Sequence, residues 1–128
     1  MIWLAVGAGG ALGAMARHGL NHFIHQRALS QTFPIGIFAI NVGGSFVIGV
    51  LAGLLAGNRL HLSYAWRTFL IVGFLGGFTT FSSFSLDTLA LAREGHTGQA
   101  LANAAGQVVL SLVGVWAGFR LATSLPGV

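Results

Sequence analysis

The side chains in this sequence able to act on a solute are few and fall in two places, and a third place carries a polar stripe. Asn41 is an amide about a quarter of the way along an apolar run, with Gly43, Gly44 and Ser45 directly after it. Phe81 and Phe84 stand three residues apart, which puts both rings on one face of a helix, and Ser82, Ser83 and Ser85 crowd the same turn. Asn103, Gln107 and Ser111 recur every four residues as a polar stripe on an otherwise apolar helix. Amide N–H and hydroxyl groups donate hydrogen bonds to an anion or a neutral solute. An aromatic ring adds a positive edge beside its negative face. None of these grips an anion as an arginine would, and conduction needs binding favourable enough to enter and weak enough to leave. A lone amide in a membrane helix is often interhelical glue, and most helical phenylalanines only pack a core. Their combination points to a pathway for a small anion or a neutral solute. No nucleophile–base pair, thiol or metal-ligand set is visible, which argues against an enzyme.

Composition says what must position these groups. Of 128 residues, 55% are hydrophobic and 6% charged, with a mean hydropathy of +0.82, whereas a soluble domain carries about 25% charged residues. The chain reads as an all-α integral membrane protein. Its 20 glycines would ruin isolated soluble helices but suit membrane helices whose backbones pack closely. At about 20 residues per crossing, residues 1–128 are expected to form a single transmembrane domain of four transmembrane helices. So few helices per subunit imply that a polar pathway needs an oligomer. The formal charge of +4 comes from arginines without lysine, too little basic surface for a nucleic-acid partner.

In chain order, the first apolar run is Ile2 to Ala16, extendable through Ile24. Ala14-Met15-Ala16 resembles a signal-cleavage site, but the first arginine follows the apolar core instead of preceding it. The glycines after Ile2–Val6 resemble a dinucleotide-binding turn, yet the third is one residue late and no acid follows to hold a ribose. Gly9 and Gly13 read better as a packing face. His18, His22 and His25 share a helical face, and without a carboxylate or thiolate beside them they read as interfacial residues, not as a metal site. Gln26 to Thr32 is a polar connection, and Pro34 opens the second helix. Ser45, Gly49, Gly53 and Gly57 make a smooth ribbon along it. Asn58 to Trp66 reads as a loop, Arg67 to Ala92 as the third segment, Arg93 to Gln99 as a turn, and Ala100 to Ala122 as the last helix with a Gly114/Gly118 packing face.

The third segment contains a place where a helix is expected to fail. Gly76 and Gly77 cost about 1 kcal/mol each relative to alanine, and Thr79 and Thr80 do little to restore helicity. Backbone freed at membrane depth is tolerated only inside protein or along a wet cavity, so the expected break coincides with the candidate site. Orientation is a second anomaly. With four crossings, Arg17, Arg27 and Arg93 lie on one side and Arg59, Arg67 and Arg120 on the other. The usual excess of cytoplasmic basic residues is missing, and insertion in both orientations with antiparallel pairing is expected.

Three blocks of this sequence resemble the Fluc/CrcB family of small fluoride channels: Gly9-Gly10-x-x-Gly13-Ala14-x-x-Arg17, Asn41-Val42-x-Gly44-Ser45-Phe46-x-x-Gly49, and Gly73-Phe74-x-Gly76-Gly77-Phe78-Thr79-Thr80-Phe81-Ser82-x-Phe84-Ser85. The resemblance spans nearly the whole chain. It implies an antiparallel, dual-topology homodimer with two pores in the bacterial cytoplasmic (inner) membrane, surrounded by lipid, through which fluoride leaves the cell passively and its toxicity is relieved. By the same resemblance Asn41 lines the pore and Phe81 and Phe84 lie along the ion path. Ser82 and Ser83 are nearby polar contacts, and Ser111 is a pore-side serine. The broken third helix would hold a structural sodium at the dimer centre through the backbone carbonyls of Gly76 and Thr79 from both subunits. His18, Asp87 and Gln107 stand where the family usually has Tyr, Glu and Tyr. The nearest rival, a small proton-coupled drug exporter, needs a carboxylate at midplane, and the only intramembrane acid, Asp87, lies near a helix end. A membrane assembly factor would use the glycine faces and have no need of the break.

Overall fold

The computed structural model describes residues 1–28 and 32–125, which form helices without a β-strand. Leu29 to Gln31, inside the expected connection, and the terminal Pro126 and Gly127 lie outside the described residues. The described residues make four helical passes. The first is α1 (Ile2–Arg27) and the second α2 (Ile35–Ala56), which starts directly after Pro34. The third pass is composite: α3 (Tyr64–Arg67), a π-helical stretch Thr68–Leu75 and α4 (Gly76–Phe78), then Thr79 and Thr80, then α5 (Phe81–Arg93). The fourth is α6 (Thr97–Ser124).

The ends of these elements follow from local chemistry. Ser63 caps α3 by accepting from the Trp66 amide, so the helix begins inside the stretch expected to be loop. Thr80 caps α5 in the same way, its hydroxyl accepting from the Ser83 amide at 3.1 Å. The turn between α5 and α6 is tighter than its polar sequence suggests. Gly95, with φ 83°, takes the left-handed conformation that an L side chain resists. This lets the His96 amide reach Leu91 O at 2.9 Å and the Gly95 amide reach Ala92 O at 3.3 Å, a Schellman closure. Arg59, in the loop after α2, donates to the carbonyls of Ala122 and Thr123 at the last turn of α6. A cation there satisfies end carbonyls and complements the helix dipole.

Three passes, Ile35–Ala56, Tyr64–Arg93 and Thr97–Ser124, are long and apolar enough to cross a membrane, which makes the chain a multi-pass membrane protein. The first pass is as long, but its glycines and the polar half from Arg17 to Arg27 dilute its apolar character. The passes meet where glycines let backbone touch backbone. α2 and α6 interlock: a side chain on Gly49 would run into the carbonyl of Val115, and one on Gly118 into that of Phe46. α1 lies on the third pass the same way, with Gly9 and Gly13 on the backbone of Phe69 and Phe74, and Gly73 and Gly77 returning the contact to Gly9 and Gly10. In lipid such close van der Waals contact drives helix association, because there is no water to expel.

This packing predicts an asymmetry among glycines of one helix. Gly13→Ala should lower the unfolding free energy in detergent by about 1–3 kcal/mol, since its Cβ meets fixed backbone. Gly7→Ala, whose Cβ meets nothing within 4 Å, should leave stability unchanged or raise it by up to about 1 kcal/mol. Denaturant melts of the two variants check this.

Candidate functional site

Thr79 and Thr80 are extended, with φ/ψ of −85°/157° and −154°/119°. The Thr79 amide still reaches Leu75 O at 3.0 Å, but the Thr80 peptide leaves the helical ladder. An extended residue turns its own N–H and C=O to the same side, and a carboxamide is shaped to meet both. The Thr80 amide donates to Asn41 Oδ1 at 2.8 Å, and Asn41 Nδ2 donates to Thr80 O at 3.0 Å. This is the two-bond exchange of a β-ladder pair, made here by one side chain of α2. Left unpaired in a membrane, each of those peptide groups would cost several kcal/mol. Gly44, one turn past Asn41, is what lets α2 come close enough, because any side chain there would strike the Thr79 methyl.

The second N–H of Asn41 donates to Gln107 Oε1 at 2.7 Å. Gln107 Nε2 donates to Asn103 Oδ1 at 2.8 Å, Asn103 Nδ2 to Thr88 Oγ1 at 2.8 Å, and Thr88 Oγ1 to Phe84 O at 2.8 Å. Asn103 is 0% and Gln107 3% exposed. The polar stripe of α6 is therefore a hydrogen-bonded line joining α2 to α5. Asn103 and Thr88 were not among the expected site residues; the spacing of four flagged Asn103, while nothing in the sequence flags Thr88.

A cavity of about 210 Å³ opens beside this line. It brings together four of the expected residues, Asn41, Phe81, Phe84 and Ser111, and adds Ser45, Thr79, Thr80 and Gln107. The rings of Phe81 and Phe84 are 5.1 Å apart and tilted by 54°. Phe84 is buried and Phe81 is 76% exposed, so the pair leads from the protein surface inward. Among the described residues, no charged side chain lines the cavity.

Ser82 and Ser83 lie outside that lining. Both hydroxyls gather on Thr80 Oγ1, at 3.1 and 3.2 Å. Ser83 faces a different cavity, of about 260 Å³, together with Arg17, His18 and Asn21. Of the two carbonyls expected to hold a cation, Gly76 belongs to α4 and Thr79 follows it. In a continued α-helix those carbonyls would accept from the amides of Thr80 and Ser83. Both amides donate elsewhere, to Asn41 Oδ1 and Thr80 Oγ1. His18, His22 and His25 are exposed, His22 pairs with Gln26, and among the described residues no cluster of three or more His, Cys, Asp or Glu could hold a metal ion. Asp87 lines a third cavity, of about 350 Å³, with Glu94 and His96.

Comparison with known proteins places the chain among relatives of nearly its full length. The family described as CrcB-like protein, Camphor Resistance (CrcB), matches residues 4–119. A protein of Nitrobacter hamburgensis named fluoride-specific ion channel FluC 2 is 49% identical over 125 residues, covering 98% of this chain and 99% of its own length. Proteins of Rhodospirillum rubrum and Opitutus terrae, each named fluoride-specific ion channel FluC, are 49% and 46% identical, covering 92% and 97% of this chain and 92% and 94% of their own lengths. These are names of channels, a class without enzymatic activity.

The Asn41–Thr80 pairing carries a stability prediction. Asn41→Leu strands the Thr80 N–H and C=O together, and should lower the unfolding free energy by about 2–5 kcal/mol. Ser45→Ala, at a lining position without a hydrogen bond among the described residues, should change it by no more than about 0.5 kcal/mol. Equilibrium unfolding in one detergent compares them directly.

Proposed function

The chain belongs to the CrcB family, and from that premise we propose that it is a fluoride-selective channel through which fluoride leaves the cytoplasm passively. The observation that carries the reading is the cavity itself: two phenylalanine rings, hydroxyls and amides, without a charged side chain. Ring edges and neutral donors attract a small anion without trapping it. A full positive charge would hold fluoride too long, and a carboxylate would repel it. Coupling to protons would require a titratable group in the path, and the lining has none. A leak of this kind suits a bacterium that must rid its cytoplasm of fluoride across its cytoplasmic (inner) membrane.

The working unit is an antiparallel, dual-topology homodimer with two pores, one per cavity. Two features support it. The arginines divide evenly between the two ends of a four-crossing chain, with Arg59 reaching the last turn of α6 near Arg120. Phe81 stands exposed at the edge of the cavity, so a single subunit leaves one side of the ion path without protein. The extended residues Thr79 and Thr80 would be the break of the third helix and would lie at the dimer centre.

A structural sodium fits there. The carbonyls of Gly76 and Thr79 are deprived of their usual helical donors, and oxygen ligands without thiolate or imidazole suit a hard cation. Both carbonyls from each of two subunits would hold it on the twofold axis. The ion would supply fixed charge that binds the two breaks together; the Asn41 amide and the Thr80 hydroxyl are what keep those carbonyls available.

Purified protein in liposomes, followed with a fluoride electrode and with chloride as control, tests the reading. Fluoride efflux without a proton gradient is expected, and silence or proton dependence would overturn it. Asn41→Asp should suppress efflux by setting negative charge on the wall, and Phe81→Ile should slow it while the oligomer survives. Tags at both termini of the protein in cells should report two orientations, and a single orientation would contradict the dual topology.

A further inference from the structure

From Asn41 onward the hydrogen bonds beside the cavity run one way, and their direction is fixed by a group that cannot flip. A peptide N–H only donates and a peptide C=O only accepts, so Thr80 dictates which end of the Asn41 amide is oxygen. Asn41 then presents N–H to Gln107, which must answer with Oε1. That leaves Gln107 Nε2 toward Asn103 Oδ1 and Asn103 Nδ2 toward Thr88 Oγ1, whose proton goes to Phe84 O. Flipping Gln107 would set nitrogen against nitrogen at Asn41 and oxygen against oxygen at Asn103, and flipping Asn103 would set its nitrogen against that of Gln107. The line starts on the backbone of Thr80 and returns to the backbone of Phe84, four residues later.

We propose that Asn103 and Thr88 are positioning residues for conduction, holding the Gln107 amide so that an N–H of Gln107, and not its carbonyl, is available to the anion. Both N–H groups of Asn41 are already committed, to Thr80 O and to Gln107 Oε1. Gln107 lines the cavity, and its Nε2 uses one of two N–H groups on Asn103; the other has no partner among the described residues. Among the described residues it is the side-chain amide N–H left on the cavity wall. If the line is cut at Thr88, Asn103 loses its anchor and the Gln107 amide is no longer clamped. Its carbonyl can then turn to the cavity, where it repels an anion. Neither Asn103 nor Thr88 lines the cavity, so their influence is carried through Gln107.

The inference rests on the fluoride-channel reading, and liposomes loaded at about one channel each separate the two. The amplitude of fluoride efflux then reports the fraction of working channels, and its rate reports each channel. Thr88→Val keeps the shape and removes the hydroxyl; it should slow the rate about tenfold with the amplitude unchanged. Thr88→Ser, which restores the hydroxyl, should recover the rate to within about threefold of wild type. An unchanged rate in Thr88→Val, or a loss confined to amplitude, overturns the positioning role and leaves the channel reading intact; a silent wild type overturns both. Should Thr88→Val not fold, the wild-type protein still decides. Fluoride titrated into protein with labelled side-chain amides should shift one of the two Gln107 Nε2 protons and leave those of Asn103 in place. Equal shifts at both residues, or none at Gln107, contradict the proposal.

Discussion

The backbone of one residue, Thr80, sets the terms for the rest of this fold. In the interior of a membrane a peptide that leaves its helix has no water to turn to, so it persists only where the protein brings a partner of matching shape. Here that partner is the Asn41 carboxamide, which takes both the N–H and the C=O of Thr80. The pairing needs α2 within hydrogen-bonding distance of the third pass. That approach in turn needs Gly44 at the contact and the glycine interlock between α2 and α6 behind it.

The same pairing has consequences on both sides of the chain. Because the Thr80 amide goes to Asn41 and the Ser83 amide to the Thr80 hydroxyl, the carbonyls of Gly76 and Thr79 are released from helical duty. Because Asn41 has a second N–H, it continues sideways into Gln107 and the buried amide line of α6. A single side chain thus both frees two backbone carbonyls and anchors a neutral wall of amides, hydroxyls and rings beside the cavity. Ordinary α-helix would have concealed both.

Much of this was legible in the sequence. Composition gave a membrane protein of helices, and the four passes fall near the expected limits because apolar runs and arginines punctuate them. The glycines at positions 9, 13, 49, 53, 114 and 118 were correctly read as packing faces, since spacing of four on a helix leaves little other use for them. Asn41, Phe81 and Phe84 were read together from their chemistry, Ser111 was added by the family resemblance, and the four line one cavity. What spacing could not convey was direction. Asn41 looked like a donor to solute, but both of its donors go to protein, and only the three-dimensional meeting of α2 with Thr80 reveals that. Ser82 and Ser83 belong to the turn of Phe81 and Phe84 in sequence, yet the helix carries their hydroxyls round to Thr80 Oγ1, away from the cavity. Thr88 was invisible because a threonine within an apolar helix usually bonds its own backbone, as this one does in addition to accepting from Asn103.

The pairing of Asn41 with Thr80 can be observed without any substitution. Scalar coupling across a hydrogen bond, measured by NMR on protein labelled with 15N and 13C in micelles or nanodiscs, identifies the carbon behind the acceptor oxygen for a given amide. The Thr80 amide nitrogen should couple to the side-chain carbonyl carbon of Asn41. Coupling to the backbone carbonyl of Gly76 instead, the acceptor that a continuous helix would supply, would contradict this account at its centre.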